Sequence, residues 1–209
     1  MDRIPRSATN VITAVTALCW LVASVLTSPD KVAILFGFIP ARFSGLVNIV
    51  GGAPTFLTPL TATLVHANLI HVAFNLLMFV WCGTQVERVL GRWELIFLYV
   101  VGAYASALTQ WAVAPASVTP MVGASGAISA VLGAYALSFG RAKLITHNLW
   151  LNRWINVAWL MIAWVVLQIM MGWLAGGQGY LLATPAHIGG FAAGLLLQRP
   201  LLLFHYRKA

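Results

Sequence analysis

Apolar runs of about 20 residues, separated by short segments with polar, glycine or proline residues, recur along the chain and predict membrane spans at roughly 10–28, 65–83, 94–113, 123–140, 154–175 and 184–204. Backbone amides in hydrocarbon must find partners within their own segment, so runs of this length are read as helices. The first run follows Arg3 and Arg6 as a secretory leader would, but no A-x-A-type cleavage site is evident and the apolar stretch is long, so it is read as a retained span. No solenoid-period repeat or low-complexity tract interrupts the pattern, which predicts a single polytopic membrane domain over 1–209. The longest connection, about 29–64, is itself rich in apolar residues (Phe36, Phe38, Ile39, Phe43, Leu46, Val47, Ile49, Val50, Phe56, Leu57) and is expected to lie partly in the membrane interface.

Composition narrows the picture. Of 209 residues 61% are hydrophobic and only 8% charged, where a soluble domain carries about a quarter. Sixteen charges cannot cover such a core, so lipid must be the solvent for most of the surface. The net charge of +8 and pI near 10.2 do not indicate a nucleic-acid partner, because the basic residues are not gathered on one polar face. They are sorted by loop instead. Arg3, Arg6, Arg88, Arg92, Arg141, Lys143, Arg153, Arg199, Arg207 and Lys208 fall on one side of the predicted spans, and Lys31 and Arg42 on the other. The bias of short cytoplasmic loops toward Lys and Arg predicts that both termini are cytoplasmic. Trp93, Trp150, Trp154 and Trp173, near predicted span ends, fit interfacial anchors. Cys19 and Cys82 lie inside spans and are read as small apolar fillers, with neither a disulfide framework nor a cysteine metal site.

Polar groups inside spans are the candidates for chemistry, because hydrocarbon penalises them unless they are paired. Three places stand out. His66, His71 and Asn75 open the second span. His71 and Asn75, four apart, share a helix face, His66 lies just ahead of the helix, and Asn68 is a plausible N-cap. The plain reading is interhelical hydrogen bonding; a metal site is weaker, with no carboxylate or thiolate nearby. Gly123, Ser125, Gly126, Ser129 and Gly133 open the fourth span. Such a string commonly means close helix packing, but it also places a serine at a helix N-terminus, where free amides and the dipole favour an oxyanion, after a glycine that supplies backbone freedom. His187 opens the sixth span behind Thr184 as N-cap and Pro185 at the first helical position, with Gly190 and Gly194 on its side of the helix. A lone histidine there reads equally as a satisfied hydrogen bond or a proton carrier.

Spans two, four and six run in the same direction, so the three places share a depth and can converge. The Ser125, Ser129, Gly133 stripe would pack on Gly190 and Gly194, bringing the Ser125 hydroxyl to the His187 imidazole as nucleophile and base. Asn75, His71 and the Ser125 amide would then be oxyanion donors. No Asp or Glu is available in the spans, so the site would be a Ser-His dyad that needs no cofactor and no metal.

These residues resemble the rhomboid family of intramembrane serine proteases, bacterial type, over about 55–204. The motifs come in order: H-x4-H-x3-N as His66, His71 and Asn75; E-R-x2-G as Glu87, Arg88 and Gly91, followed by Tyr99 and Gly102; G-x-S-G as Gly123, Ser125 and Gly126; and A-H-x2-G-x3-G as Ala186, His187, Gly190 and Gly194. The resemblance implies an all-α, six-transmembrane-helix bundle in a prokaryotic inner membrane. Its cavity would open outward, with Ser125 attacking a peptide bond of a transmembrane protein substrate near the outer boundary and His187 acting as base and then acid. It further implies that His66 supports the oxyanion site and that Glu87 and Arg88 are structural. Two positions depart from the pattern. Bacterial relatives often carry an aromatic residue four after the nucleophile, packed on the histidine; here it is Ser129, so another ring or packing alone must hold His187. The Trp-Arg pair of the first external loop is replaced by Phe43-Ser44. A non-catalytic adaptor of the same fold and a small proton-coupled transporter are the competing classes. The retained Ser125 and His187 speak against the adaptor. Gly176, Gly177 and Gly179, before the sixth span, are expected to form a mobile cap.

Overall fold

The computed structural model describes residues 7–139, 145–174 and 183–207. Arg3, Arg6, Arg141, Lys143 and Lys208 of the charge analysis, and the Gly176, Gly177 and Gly179 cap, lie outside the described residues.

Among the described residues six principal helices follow the predicted runs. They are α1 (Ala8–Leu26), then, after the short helices α2 (Pro29–Phe36), α3 (Pro40–Phe43) and α4 (Thr58–Thr61), α5 (Leu69–Leu90), α6 (Arg92–Val113), α7 (Ser125–Phe139), α8 (Leu149–Leu174) and α9 (Thr184–Tyr206). Five of them are long and apolar enough to cross a membrane. The exception is α7, with 15 described residues where the apolar run suggested 18. At about 1.5 Å per residue it spans roughly 22 Å, less than the ~30 Å hydrocarbon core. At its start Gly123 and Ala124 of that run are non-helical and α7 begins only at Ser125.

Small side chains explain why α7 can be central. Eleven of its residues are buried, and glycines on its neighbours bring backbones into contact with it. A Cβ on Gly102 of α6 would fall 2.5 Å from the Ala130 Cβ, and Cβ atoms on Gly190 and Gly194 of α9 would collide with the Gly126 and Ala130 carbonyls. Gly133 lies against the Phe191 backbone in the same way. The stripe that meets α9 is therefore Gly126, Ala130 and Gly133, not Ser125, Ser129 and Gly133 as expected. The shared Gly133 hides the difference in the sequence, and Ser129 faces α8 instead.

The turn between α5 and α6 is a single glycine, Gly91, at φ +93°, a conformation that only glycine adopts readily. One turn earlier, Glu87 receives the N-terminus of α1: its carboxylate accepts from Ser7 Oγ (2.7 Å), Ala8 N (2.7 Å), Thr9 N (2.9 Å) and Thr9 Oγ1 (2.6 Å). A carboxylate there satisfies orphan first-turn amides and complements the helix dipole. This fixes α1 to α5 at the end of the bundle remote from Ser125.

At the opposite end the 27–68 connection is largely built structure. Phe38 is completely buried and pairs with Met121 in an antiparallel bridge (N to O 3.0 and 2.8 Å), and Ala41 N donates to Ser117 O at 2.9 Å. Leu46, Val50 and Phe56 remain exposed. The connection thus braces the segment that leads into Ser125 while offering apolar groups outward. Trp93, Trp150, Trp154 and Trp173 are all exposed, as interfacial anchors would be.

Candidate active site

The predicted cap of the second span is present: Asn68 is extended and its side chain accepts from the His71 N–H at 2.9 Å, starting α5. One turn on, Asn75 is fully buried, and its Nδ2 donates to the His71 carbonyl at 3.1 Å. His66 sits ahead of the helix, edge-on to His71 with ring centroids 4.9 Å apart, and its Nε2 accepts from the Ala124 N–H at 3.4 Å. The Gly123 N–H donates to the Ala62 carbonyl at 2.9 Å. Residues 62–66 therefore hold both amides that precede Ser125.

Gly123 has φ +108°, and a Cβ placed on it would lie 2.6 Å from Nε2 of His71 and 3.6 Å from Nδ2 of Asn75. Glycine is needed twice over, for the backbone conformation and for the space. Two N–H-bearing side chains consequently press on the backbone two residues before Ser125. Ser125 itself is the first residue of α7, so its amide belongs to the first-turn group that has no carbonyl within the helix.

From α9 comes His187, and its Nε2 lies 2.8 Å from Ser125 Oγ, with both residues buried. The α7–α9 crossing explains the distance. Gly126 and Gly190 touch one residue beyond Ser125 and three beyond His187, so the two side chains leave the crossing on the same side. The helix start differs by a residue from expectation. Ala183, not Thr184, is the N-cap, and Pro185 is inside the first turn. His187 stays in that turn, its N–H donating to Ala183 O at 3.1 Å.

The structure thus brings Ser125, His187, His71, Asn75, His66 and Gly123 into one cluster, buried except for the half-buried His71 and Gly123. Pattern reading passed over a further member, Trp164 of α8, which is 2% exposed. Its Nε1 donates to Ser129 Oγ at 2.8 Å, and its ring lies 6.4 Å from that of His187. A signal existed: an indole N–H in mid-span must find an acceptor. Chemically, the cluster offers a hydroxyl against an imidazole, with an amide and two side-chain donors grouped around the same backbone turn.

The profile of the Rhomboid domain matches residues 54–204. The chain is similar to Rhomboid protease GlpG of Haemophilus influenzae, 34% identical over 134 residues that make up 64% of this chain and 64% of that protein. It is 30% identical to Rhomboid protease GlpG of Pectobacterium atrosepticum over 134 residues, 64% of this chain and 44% of the relative. With RHOMBOID-like protein 4 of Arabidopsis thaliana it shares 26% identity over 144 residues, 69% of this chain and 34% of the relative. The chain thus spans less than two thirds of the length of each.

Proposed function

The chain belongs to the rhomboid family and is an integral multi-pass membrane protein, and from that premise we propose that it is an intramembrane serine endopeptidase working through a Ser125–His187 dyad. The observation that carries the reading is the 2.8 Å contact between Ser125 Oγ and His187 Nε2 inside a cluster of oxyanion donors. Ser125 Oγ attacks the scissile carbonyl while Nε2 of His187 takes its proton. Negative charge then develops on the carbonyl oxygen, where the Ser125 amide at the start of α7, Asn75 Nδ2 and His71 Nε2 stabilise it. His187 returns the proton to the leaving amine, and water releases the acyl group by the reverse sequence. His66 keeps the Ala124 amide and the His71 ring in place, and Gly123 keeps the space open.

Arg88, Arg92, Arg153, Arg199 and Arg207 mark the cytoplasmic side, with both termini there, in a bacterial inner membrane. The dyad then lies in the outer half of the bilayer. Substrates are transmembrane proteins whose helix is weak at that depth, since a peptide bond must be extended to be attacked.

The test is cleavage of a single-span substrate by purified protein in liposomes. Ser125→Ala and His187→Ala should each lower turnover by at least about 10³-fold. Cleavage at the wild-type rate by either variant would overturn the reading.

A further inference from the structure

Resting on the dyad reading, we propose that Trp164 is the positioning residue of His187, and that Ser129 is the anchor that fixes its indole.

Among the described residues Nδ1 of His187 has no hydrogen-bond partner. The contact to Ser125 Oγ at Nε2 does not by itself stop the imidazole from tilting, so its plane must be held by what packs against it. Trp164 supplies that surface, its ring lying at 66° to the imidazole with centroids 6.4 Å apart, within the edge-to-face range.

The indole is fixed on two further sides. Its N–H donates to Ser129 Oγ, and the Ser129 hydroxyl donates in turn to the Ser125 carbonyl at 2.7 Å. A hydroxyl has one donor and two acceptor sites, so it can serve both contacts at once. Phe74, adjacent to Asn75, stacks on the indole at 5.9 Å and 20°. Ring, anchor, nucleophile and imidazole close into a loop: Trp164 to Ser129 to Ser125 to His187 and back to Trp164. The loop refers the imidazole to the same helical turn that carries the nucleophile. A larger side chain at 129 would occupy the place where the indole N–H arrives, so Ser129 and Trp164 belong together.

The experiment uses the full chain in detergent and in liposomes, comparing wild type with Trp164→Ala, Trp164→Phe, Ser129→Ala and Trp164→Ala/Ser129→Ala. Readouts are kcat and KM on a single-span substrate, the rate of Ser125 phosphonylation by a fluorophosphonate, and the folded fraction. Trp164→Ala should lower kcat and the labelling rate by about 10–100-fold with KM within about twofold, because base orientation and not binding is lost. Trp164→Phe, which keeps a ring, and Ser129→Ala, which removes its anchor, should each lose about 3–10-fold, and the double variant should be no slower than Trp164→Ala alone. Retention of wild-type kcat by Trp164→Ala, a loss accounted for by KM, or additive losses in the double variant would overturn the proposal. If Trp164→Ala does not fold, the Phe and Ser129→Ala variants decide it: both must slow kcat at constant KM. Labelling of Ser125→Ala at the wild-type rate would instead overturn the dyad itself, a distinct result.

Discussion

Gly190 of α9 rests directly on the carbonyl of Gly126 in α7, with Ser106 of α6 against the same point. One residue before Gly126 stands Ser125, and three before Gly190 stands His187, 2.8 Å away. The depth to which two glycines allow two helices to interpenetrate therefore sets the separation of the Ser125 hydroxyl and the His187 imidazole.

Gly190→Ala should part that crossing. The added methyl meets backbone as well as Ser106, so the helices must separate, at a cost of about 1–3 kcal/mol for an overpacked core site. A displacement of even 1 Å at the dyad is expected to lower turnover by about 100-fold. Parallel measurement of thermal unfolding and substrate cleavage checks this, with activity falling much further than stability. Equal activity per folded molecule would show that the crossing does not set the dyad.

Gly123→Ala tests the approach to the nucleophile from the other side. Its Cβ would intrude on His71 and Asn75 in a backbone conformation at φ +108° that L side chains avoid. A cost of about 1–3 kcal/mol is expected, and the larger effect should be on catalysis because both displaced groups are proposed oxyanion donors. The expected signature is a fall in kcat of about 10²-fold with KM little changed.

Much of the site was legible because it depends on local rules. An asparagine before an apolar helix caps it, residues four apart share a face, and a serine after Gly-Ala opens a small-residue helix; Asn68, His71, Asn75 and Ser125 follow from these. What escaped depends on which face of a helix meets which neighbour. Every residue on one side of α7 is small, so the sequence alone could not tell that Gly126 and Ala130 meet α9 while Ser129 turns to α8. Nor could it show that a mid-span tryptophan 35 residues from Ser129 supplies its partner. Boundaries were the third weakness: Gly123 and Ala124 continue the apolar run and read as helix, although they belong to the connection whose bridge from Met121 to Phe38 supports Ser125.

Glu87 gives a prediction about stability with little effect on chemistry. Its carboxylate joins the N-terminus of α1 to α5 through four hydrogen bonds, all remote from Ser125. Glu87→Gln keeps the shape but removes the charge and turns one acceptor into a donor. A loss of about 1–3 kcal/mol is expected, discounted for the partial exposure of the group. A lower unfolding midpoint with near-normal kcat in the folded fraction is the result to look for. Loss of kcat without loss of stability would mean that the α1–α5 junction acts on the site.

Asn75 separates two roles that a buried amide could fill. It is completely buried, with one bond from Nδ2 to the His71 carbonyl and Oδ1 without a partner among the described residues. Were it a structural group, Asn75→Ala would cost stability and leave the chemistry of the remaining folded protein intact. As an oxyanion donor it contributes only once charge has formed on the substrate oxygen, so its loss must appear in kcat, by about 10²–10³-fold, with substrate affinity unchanged. The unpartnered Oδ1 favours the second role, since replacing an amide with an orphaned oxygen should relieve part of a burial cost. Asn75→Ala is therefore expected to be close to wild type in thermal stability and strongly impaired in turnover. Activity within about threefold of wild type would remove Asn75 from the oxyanion site and leave His71 and the Ser125 amide to carry it.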